Sequence, residues 1–124
     1  EQMRDWLYVR DFCRAIDTVL RKGKPGEIYN IGAGSEMKNL DLTKKILHFF
    51  DLGEDMIERI KDRPGHDFRY PLAWEKIRQL GWYPKYTFER GMKETISWYQ
   101  NNVGWWRPIK MGAFQQYYQK QYSS

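Results

Sequence analysis

The stretch Asp62-Arg63-Pro64-Gly65-His66 places a cation and an imidazole on either side of a Pro-Gly pair. Proline fixes φ at the second position of a four-residue turn and glycine supplies a positive φ at the third, so the pattern predicts a type II turn. The first and last Cα atoms of such a turn lie within about 7 Å of each other. The Arg63 guanidinium and the His66 imidazole are therefore expected to converge on one point, which would suit an anion.

The chemistry expected at this point is the binding of phosphate oxygens. Arginine presents a planar fork that matches phosphate bidentately, and histidine can donate a further hydrogen bond, so together they suit a diphosphate. The alternative is a plain surface turn in which Arg63 and His66 pair with Asp62 and Asp67. A metal site is disfavoured, because one histidine without a second ligand at a recognised spacing is not a metal motif.

Three further polar positions invite a ligand but have simpler explanations. Arg4 precedes a predicted strand, at a place where α/β proteins often bind ligands, although pairing with Asp5 would explain it as well. Asn39 is interpreted as a helix N-cap, a role that needs no ligand. The Gly32-Ala33-Gly34 run is not interpreted as a dinucleotide-binding loop, because Met37 stands where that motif requires its third glycine.

Catalytic motifs are absent from the sequence. It contains no Gly-x-Ser-x-Gly, no His-Glu-x-x-His and no Walker loop, and no tyrosine is followed four positions later by lysine. If the protein is an enzyme, its chemistry is expected to come from another part of the polypeptide.

Two strand-to-helix units are predicted in the first fifty residues. The run Trp6–Val9 is β-prone, and the helix after it is predicted to have Asp11 as its N-cap and to end at Gly23. A second strand is predicted over Glu27–Ile31, before the helix that Asn39 caps. The first helix has apolar residues at helical spacing, namely Phe12, Ala15, Ile16, Val19 and Leu20.

The rest of the chain is predicted to be mostly helical. A third short strand over Met56–Lys61 leads into the Pro-Gly turn, a short helix spans Trp74–Leu80, and another follows Thr87 as its N-cap. Alternating strands and helices imply a parallel sheet covered on both faces, and three short strands are too few to form one. We therefore expect an α/β fold that is the C-terminal piece of something larger.

Size and composition limit the class of protein. At 124 residues a single domain over residues 1–124 is expected, and 41% hydrophobic with 30% charged residues excludes a disordered chain. The net charge is +5, but basic residues never run beyond two and acids are interleaved, so no nucleic-acid partner is expected. One cysteine, no secretory leader and no long apolar window predict a cytoplasmic protein without a membrane partner.

The order of four segments resembles the C-terminal part of the dTDP-glucose 4,6-dehydratases, within the extended short-chain dehydrogenase/reductase (NAD-dependent epimerase/dehydratase) family. The segments are RDWLYVRDFCRAIDTVLRKGKPGEIYNIG, NLDL, DRPGHDFRY and LGWYPKYTFERGMKETISWY. The DRPGHDFRY element is the most specific of them, whereas the first is shared more widely among nucleotide-sugar epimerases and dehydratases.

The resemblance implies the fold and the activity of the intact protein. The chain would be the substrate-binding lobe, with Glu27–Ile31 completing the Rossmann sheet and the tail from about residue 104 packing loosely or docking on the missing domain. The family implies an NAD-dependent lyase that oxidises C4 of dTDP-glucose, eliminates water across C5 and C6 and returns the hydride to C6, a step of deoxysugar biosynthesis. Its NAD loop and catalytic residues belong to an N-terminal Rossmann domain, so this chain alone is expected to be inactive, and the intact enzyme is expected to be a homodimer.

The resemblance also assigns substrate-binding roles by position. Arg4 and Arg63 would clamp the diphosphate of a dTDP-sugar, Asn39 would contact the nucleotide side, and His66 would help to close the pocket. Asp62 would orient Arg63 or add a polar contact of its own, and the turn itself is formed by Pro64 and Gly65. Phe68 and Arg10 depart from the residue types common in the family, which leaves the exact sugar nucleotide open.

Two alternatives remain open on the sequence alone. The first is the corresponding lobe of a UDP-sugar epimerase or decarboxylase, which differs in base preference. The second is a separate nucleotide-binding or single-strand RNA-binding module whose aromatic side chains stack on bases. Under the dehydratase interpretation, apolar surface is expected to be exposed where the cofactor domain docks.

Overall fold

The segment that carries Arg4 is the centre of a small β-structure in the computed structural model, which describes residues 2–60 and 62–122. Strand β1 (Met3–Asp5) pairs antiparallel with β2 (Glu36–Lys38), with Arg4 opposite Met37. On its other side, Met3 forms an isolated parallel bridge with Arg69, and its N–H donates to the Phe68 carbonyl over 2.8 Å. Strand β1 therefore holds both β2 and the segment that follows the Pro-Gly turn.

Helices make up most of the regular structure. In chain order they are α1 (Val9–Lys22), α2 (Asn39–Phe49), α3 (Glu75–Gln79), α4 (Phe88–Asn101), α5 (Val103–Met111) and α6 (Ala113–Tyr122), with a 3-10 turn at Glu54–Met56 between α2 and α3. The predicted helices are confirmed in position, because their apolar periodicity is a local property of the sequence. None of the described helices is long and apolar enough to cross a membrane.

The predicted strands differ more from the structure. The prediction of a strand over Trp6–Val9 is wrong, because β1 ends at Asp5 and α1 begins at Val9. The segment Glu27–Ile31 has no ladder partner among the described residues, and its role in a Rossmann sheet concerns the intact protein. The third strand, over Met56–Lys61, is not formed at residues 56–60, and Lys61 lies outside the described residues.

The contacts divide the chain into two compact units, Glu1–Phe88 and Glu89–Ser124, where the sequence predicts one domain. In the first unit, the core consists of Ala15, Ile77 and Trp82, which are at most 1% exposed. Partly buried side chains pack around it, namely Leu7, Val19, Tyr29, Ile31 and Trp74. This core joins α1, α3 and the segment that follows α3.

Asp11 is a buried carboxylate and not the predicted N-cap of α1. Tyr8 occupies the cap position, and Asp11 lies in the first helical turn with 0% exposure. Its Oδ2 accepts hydrogen bonds from the backbone N–H groups of Lys85 and Tyr86, both at 2.9 Å, while Oδ1 pairs with Arg14. The carboxylate is thus used to fasten α1 to the loop before α4.

The second unit is held by aromatic contacts between helices. Trp98 and Trp105 form an edge-to-face pair with ring centroids 5.2 Å apart, and the Trp106 indole N–H donates to the Tyr99 carbonyl over 2.8 Å. These contacts join α4 to α5 through side chains at helical spacing. The last helix of this unit is α6, on which Phe114 packs on Tyr118.

Candidate functional site

The Pro-Gly turn has the backbone conformation that its sequence predicts. Gly65 has φ +67°, in the left-handed region that favours glycine. Within the turn, Asp62 Oδ1 accepts a hydrogen bond from the Arg63 backbone N–H at 2.9 Å and lies 2.6 Å from His66 Nδ1. The Asp62 carboxylate therefore stabilises the turn by hydrogen bonds within it. It binds the backbone N–H of Arg63 and not the guanidinium.

Arg4 connects β1 to the turn and to the segment after it. Its Nη2 lies 3.0 Å from His66 Nε2 and donates to the Asp67 carbonyl at 3.1 Å. Its Nη1 donates to the Met3 carbonyl at 2.6 Å and, more weakly, to the Phe68 carbonyl at 3.4 Å. Both amino groups of the Arg4 guanidinium are thus committed to protein acceptors.

An aromatic ring supports the same guanidinium. The guanidinium carbon of Arg4 lies 4.7 Å from the centroid of the Tyr70 ring, a distance typical of a cation–π contact. The Tyr70 hydroxyl donates to the Asp67 carboxylate. This hydrogen bond is the main cause that raises the pKa of Tyr70, while the positive charges of Arg4 and Arg63 oppose it.

The simple pairing of Arg4 with Asp5 does not occur. The Asp5 carboxylate accepts from the backbone N–H groups of Ala33, Gly34 and Ser35, at 2.9, 3.1 and 2.8 Å. Successive strand residues point to opposite faces, so Arg4 and Asp5 serve different loops.

The sequence predicts Asn39 as the N-cap of α2. In the structure Asn39 is the first residue of this helix, and Lys38 is its N-cap. Its backbone N–H donates to the Gln2 carbonyl at 2.9 Å, and the Gln2 side-chain amide donates to Asp62 Oδ2. The side-chain oxygen of Asn39 is buried and has no hydrogen-bond partner among the described residues. Such an oxygen is an exception, because nearly all buried polar atoms have a hydrogen-bond partner.

Arg63 differs from Arg4 in being uncommitted. Its side chain is exposed, and within residues 2–60 and 62–122 its guanidinium has no hydrogen-bond or ion-pair partner. Of the surface-turn alternative, the pairing of His66 with Asp62 is present at 2.6 Å, whereas the Arg63 guanidinium pairs with neither Asp62 nor Asp67. Arg63 is therefore the cation of the turn whose guanidinium has no hydrogen-bond partner among the described residues.

The structure brings most of the predicted site residues together. Arg4, Asp62 and His66 form one hydrogen-bonded group, Asn39 joins it through Gln2, and Pro64 and Gly65 shape the turn. Gln2 and Tyr70 also contact this group, and neither was predicted from the sequence. Gln2 precedes the strand and belongs to no sequence motif. Tyr70 follows the turn directly after Arg69, and an aromatic residue near arginines could have suggested a cation–π contact.

The Gly32-Ala33-Gly34 loop does not fit the pyrophosphate of NAD. The backbone N–H groups that such a ligand needs are already donated to Asp5. A Cβ atom on Gly32 would lie 2.6 Å from Asp5 Oδ2, so the glycine serves the close approach of that carboxylate. Across the described part of the chain, no group of three His, Cys, Asp or Glu side chains could hold a metal ion either.

Comparisons with known proteins identify the family. The family model described as GDP-mannose 4,6 dehydratase matches residues 1–95. A dTDP-glucose 4,6-dehydratase of Streptomyces niveus is 50% identical over 108 residues, which are 86% of this chain and 32% of that protein.

Two solved structures are similar to the chain in fold and in sequence. A dTDP-glucose 4,6-dehydratase from Bacillus anthracis, in complex with NAD, has a TM-score of 0.82 at 45% identity and covers 88% of this chain and 35% of its own. The enzyme of the same name from Streptomyces venezuelae, with NAD and TYD bound, has a TM-score of 0.84 at 42% identity, with coverage of 88% and 34%.

The chain spans about a third of the length of these relatives. The predicted fold class is confirmed, because the neighbours are extended short-chain dehydratases. With the family model matching 95 of its 124 residues, the chain belongs to the GDP-mannose 4,6 dehydratase family, and its resemblance to the dTDP-glucose 4,6-dehydratases is confirmed.

Proposed function

We propose that this chain is the nucleotide-sugar-binding portion of a dTDP-glucose 4,6-dehydratase, an NAD-dependent lyase that converts dTDP-glucose to dTDP-4-keto-6-deoxyglucose. The observation that carries the proposal is the 50% identity to the Streptomyces niveus enzyme across most of this chain. The similar structure with NAD and TYD bound supports the same assignment.

The diphosphate is proposed to bind at the Pro-Gly turn. Arg63 supplies the uncommitted guanidinium, whose planar fork suits phosphate oxygens. Arg4 contributes positive charge from β1 while its amino groups remain on protein acceptors. The turn is rigid, because Pro64 and Gly65 restrict its backbone and Asp62 ties its ends.

Asn39 is proposed to contact the nucleotide side of the ligand. An unsatisfied buried oxygen costs about 1–3 kcal/mol, and a rotation of the Asn39 side chain that brings this oxygen to a donor of a base or a hydroxyl would remove that cost. The cost would be incurred in the free protein and recovered in the complex. Binding would therefore gain from a contact that the free protein cannot make.

NAD and the catalytic residues are proposed to lie in the portion of the intact protein that this chain does not cover. An N-terminal Rossmann domain would dock on α1, where an apolar stripe is exposed to solvent at Val9 (61%), Phe12, Ile16 and Leu20 (82%). Exposed apolar area of this kind marks an interface. The intact enzyme is proposed to be a cytoplasmic homodimer, and this chain alone is proposed to be inactive.

Calorimetric titration of the 124-residue chain with dTDP, UDP and GDP tests the proposal. Saturable binding of dTDP is expected, and Arg63→Ala should weaken it at least about tenfold, because a charge-assisted contact is lost. Arg107→Ala removes the same charge from an exposed position in the second unit and should leave binding unchanged.

Other outcomes of the same titration favour the alternatives. A preference for UDP over dTDP would indicate the lobe of a UDP-sugar enzyme. Binding of single-stranded RNA that grows with its length and falls steeply with salt would indicate a nucleic-acid module instead.

A further inference from the structure

We infer that His66, with a neutral imidazole, is a positioning residue that holds the guanidinium of Arg4 and does not itself donate to the phosphates. It is the middle member of a chain of hydrogen bonds, Asp62–His66–Arg4, which we call the relay. The inference rests on the proposed function, since it concerns how the same anion site is organised. It changes the role of the imidazole from a ligand-contacting donor to an acceptor that orients a neighbouring cation.

The two distances and the chemistry of the partners set the protonation of the ring. Arginine has only donors, so the contact of 3.0 Å between Arg4 Nη2 and His66 Nε2 requires a lone pair on Nε2. The proton of a neutral imidazole is then on Nδ1, which lies 2.6 Å from Asp62 Oδ1 and donates to it. One tautomer satisfies both contacts.

Asp62 is fitted to fix this tautomer. Besides His66, its carboxylate accepts from the Arg63 backbone N–H and from the Gln2 side chain. The hydrogen bond from His66 is the main cause that lowers the pKa of Asp62, while partial burial opposes it. An ionised carboxylate at Nδ1 can accept but cannot donate, so it keeps the proton on Nδ1.

His66 is the side-chain acceptor of Arg4, and the other acceptors are backbone carbonyls. Those carbonyls belong to Met3 on β1 and to the segment after the turn, at Asp67 and Phe68. The imidazole thus adds a link between the turn and the guanidinium that depends on its protonation. Losing that link leaves Arg4 held by backbone carbonyls and the Tyr70 ring, with no side-chain acceptor from the turn.

Protonation of His66 would break the relay. The ionisable groups around the ring are Arg4 on β1, Asp62 and Arg63 in the turn, and Asp67 and Tyr70 after it. An imidazolium carries N–H on both nitrogens, so Nε2 would then face the Arg4 N–H groups as a second donor and a second positive charge. Affinity for the nucleotide sugar is therefore expected to fall as the imidazole protonates.

A direct donor role predicts the opposite sign. If His66 donated to a phosphate, the imidazolium would add charge and a donor at the ligand, and affinity would rise with acidification. dTDP-glucose is the right probe, because its diphosphate is esterified at both ends and does not titrate between about pH 5.5 and 8.

Nitrogen-15 NMR of the histidine rings in the full 124-residue chain tests the relay without any ligand. We expect His66 at pH about 8 to be neutral with its proton on Nδ1. His48, which is exposed on α2, serves as the internal reference for an unconstrained ring. A proton on Nε2 of His66, or an imidazolium at this pH, would overturn the inference.

Two variants then separate positioning from a general loss of structure. His66→Gln can present a carbonyl oxygen near the position of Nε2, so its affinity for dTDP-glucose should stay within about threefold of the parent and lose its pH dependence. His66→Phe has no acceptor, and its affinity should fall about tenfold at neutral pH. His48→Gln is the matched control and should change nothing, and far-ultraviolet circular dichroism checks that each variant is folded.

The outcomes distinguish this inference from the proposed function. If dTDP-glucose does not bind at all, the proposed function fails, while the NMR experiment still decides whether the relay exists. If the ligand binds and His66→Phe behaves like the parent, or affinity rises with acidification, the relay is overturned and the proposed function stands.

Discussion

Arg4 and His66 meet across 3.0 Å although 62 positions separate them in the sequence. The contact exists because β1 carries the bridge to Arg69, which brings the end of the Pro-Gly turn next to the strand. The site thus depends on a strand of three residues as much as on the turn itself.

Replacing Arg4 by lysine should show that binding and stability depend on the planar guanidinium and not only on the positive charge. Lysine keeps the positive charge but cannot reach the carbonyls and the imidazole together. We expect affinity for dTDP-glucose to fall about tenfold and the free energy of unfolding to fall by about 1–2 kcal/mol. Arg107→Lys is the control, and an Arg4→Lys variant with full affinity and stability would contradict the role given to Arg4.

Asn39→Ala should have opposite effects on stability and on binding. The buried oxygen has no partner in the free protein, so its removal should leave the free energy of unfolding unchanged or raise it by up to about 1 kcal/mol. Affinity for dTDP should nevertheless fall, because the ligand loses its acceptor.

The comparison variant for this experiment is Asn30→Ala. Asn30 donates to the Ala73 carbonyl, so the variant should lose stability and keep affinity. Equal losses of both quantities in Asn39→Ala, measured by urea unfolding and calorimetry, would show that its oxygen is not reserved for a ligand.

Asp11→Ala should be strongly destabilising. The change leaves two backbone N–H groups and the Arg14 guanidinium without their carboxylate, which costs about 2–4 kcal/mol of unfolding free energy. Asp17→Ala removes an exposed ion pair with Arg21 on the same helix and should cost less than about 0.5 kcal/mol. Urea unfolding followed by tryptophan fluorescence measures both, and similar costs would show that burial of Asp11 is unimportant.

Gly32→Ala should destabilise the loop that Asp5 holds. The new Cβ would lie 2.6 Å from a carboxylate oxygen that three backbone N–H groups keep in place, and 3.0 Å from the Trp74 ring. A loss of about 1–3 kcal/mol in unfolding free energy is expected. At Gly104, in α5, a Cβ meets nothing within 4 Å, so Gly104→Ala should be neutral or stabilising there.

Stability should fall on acidification partly through Glu36 and Asp62. Hydrogen bonds from Arg69 and from His66, respectively, are the main causes that lower the pKa of these carboxyl groups. A carboxyl whose pKa is lower in the folded state binds fewer protons there, so its contribution is present above about pH 4 and is lost as the pH falls through the lowered value.

Thermal unfolding between about pH 6 and 3 measures this dependence. The Glu36→Gln variant should show a shallower loss of stability with falling pH than the parent. Glu58→Gln changes an exposed side chain that has no ion-pair partner among the described residues, and it should keep the parent's slope. Parallel curves for all three proteins would rule out the contribution of Glu36.

The helices and the turn could be predicted because their signals are local. The apolar periodicity located α1 and α4, and the Pro-Gly pair fixed the positive φ of Gly65. Strands could not be predicted equally well, since a ladder needs a partner that lies far along the chain. Neither residues 3–5 nor residues 36–38 have a hydrophobic pattern that predicts their pairing with each other.

The sequence predicts the candidate site residues, but it does not predict the hydrogen bonds among them. Cation and imidazole types indicated an anion site at the turn. The sequence could not show that Arg4 is saturated while the Arg63 guanidinium has no partner within residues 2–60 and 62–122. The cap assignments at Asp11 and at Asn39 were wrong, because the helices begin at Val9 and at Asn39 itself. Where a helix starts depends on tertiary contacts that a short polar motif does not encode.

The alternation of side chains along β1 has a consequence for changes in chain length. Arg4 meets carbonyl oxygens on one face, and Asp5 meets amide hydrogens on the other. Inserting or deleting one residue in this strand would turn a carboxylate toward the oxygens and a guanidinium toward the hydrogens, so both matches would become repulsions at the same time. This three-residue strand should therefore tolerate an indel worse than the much longer surface loops beside it.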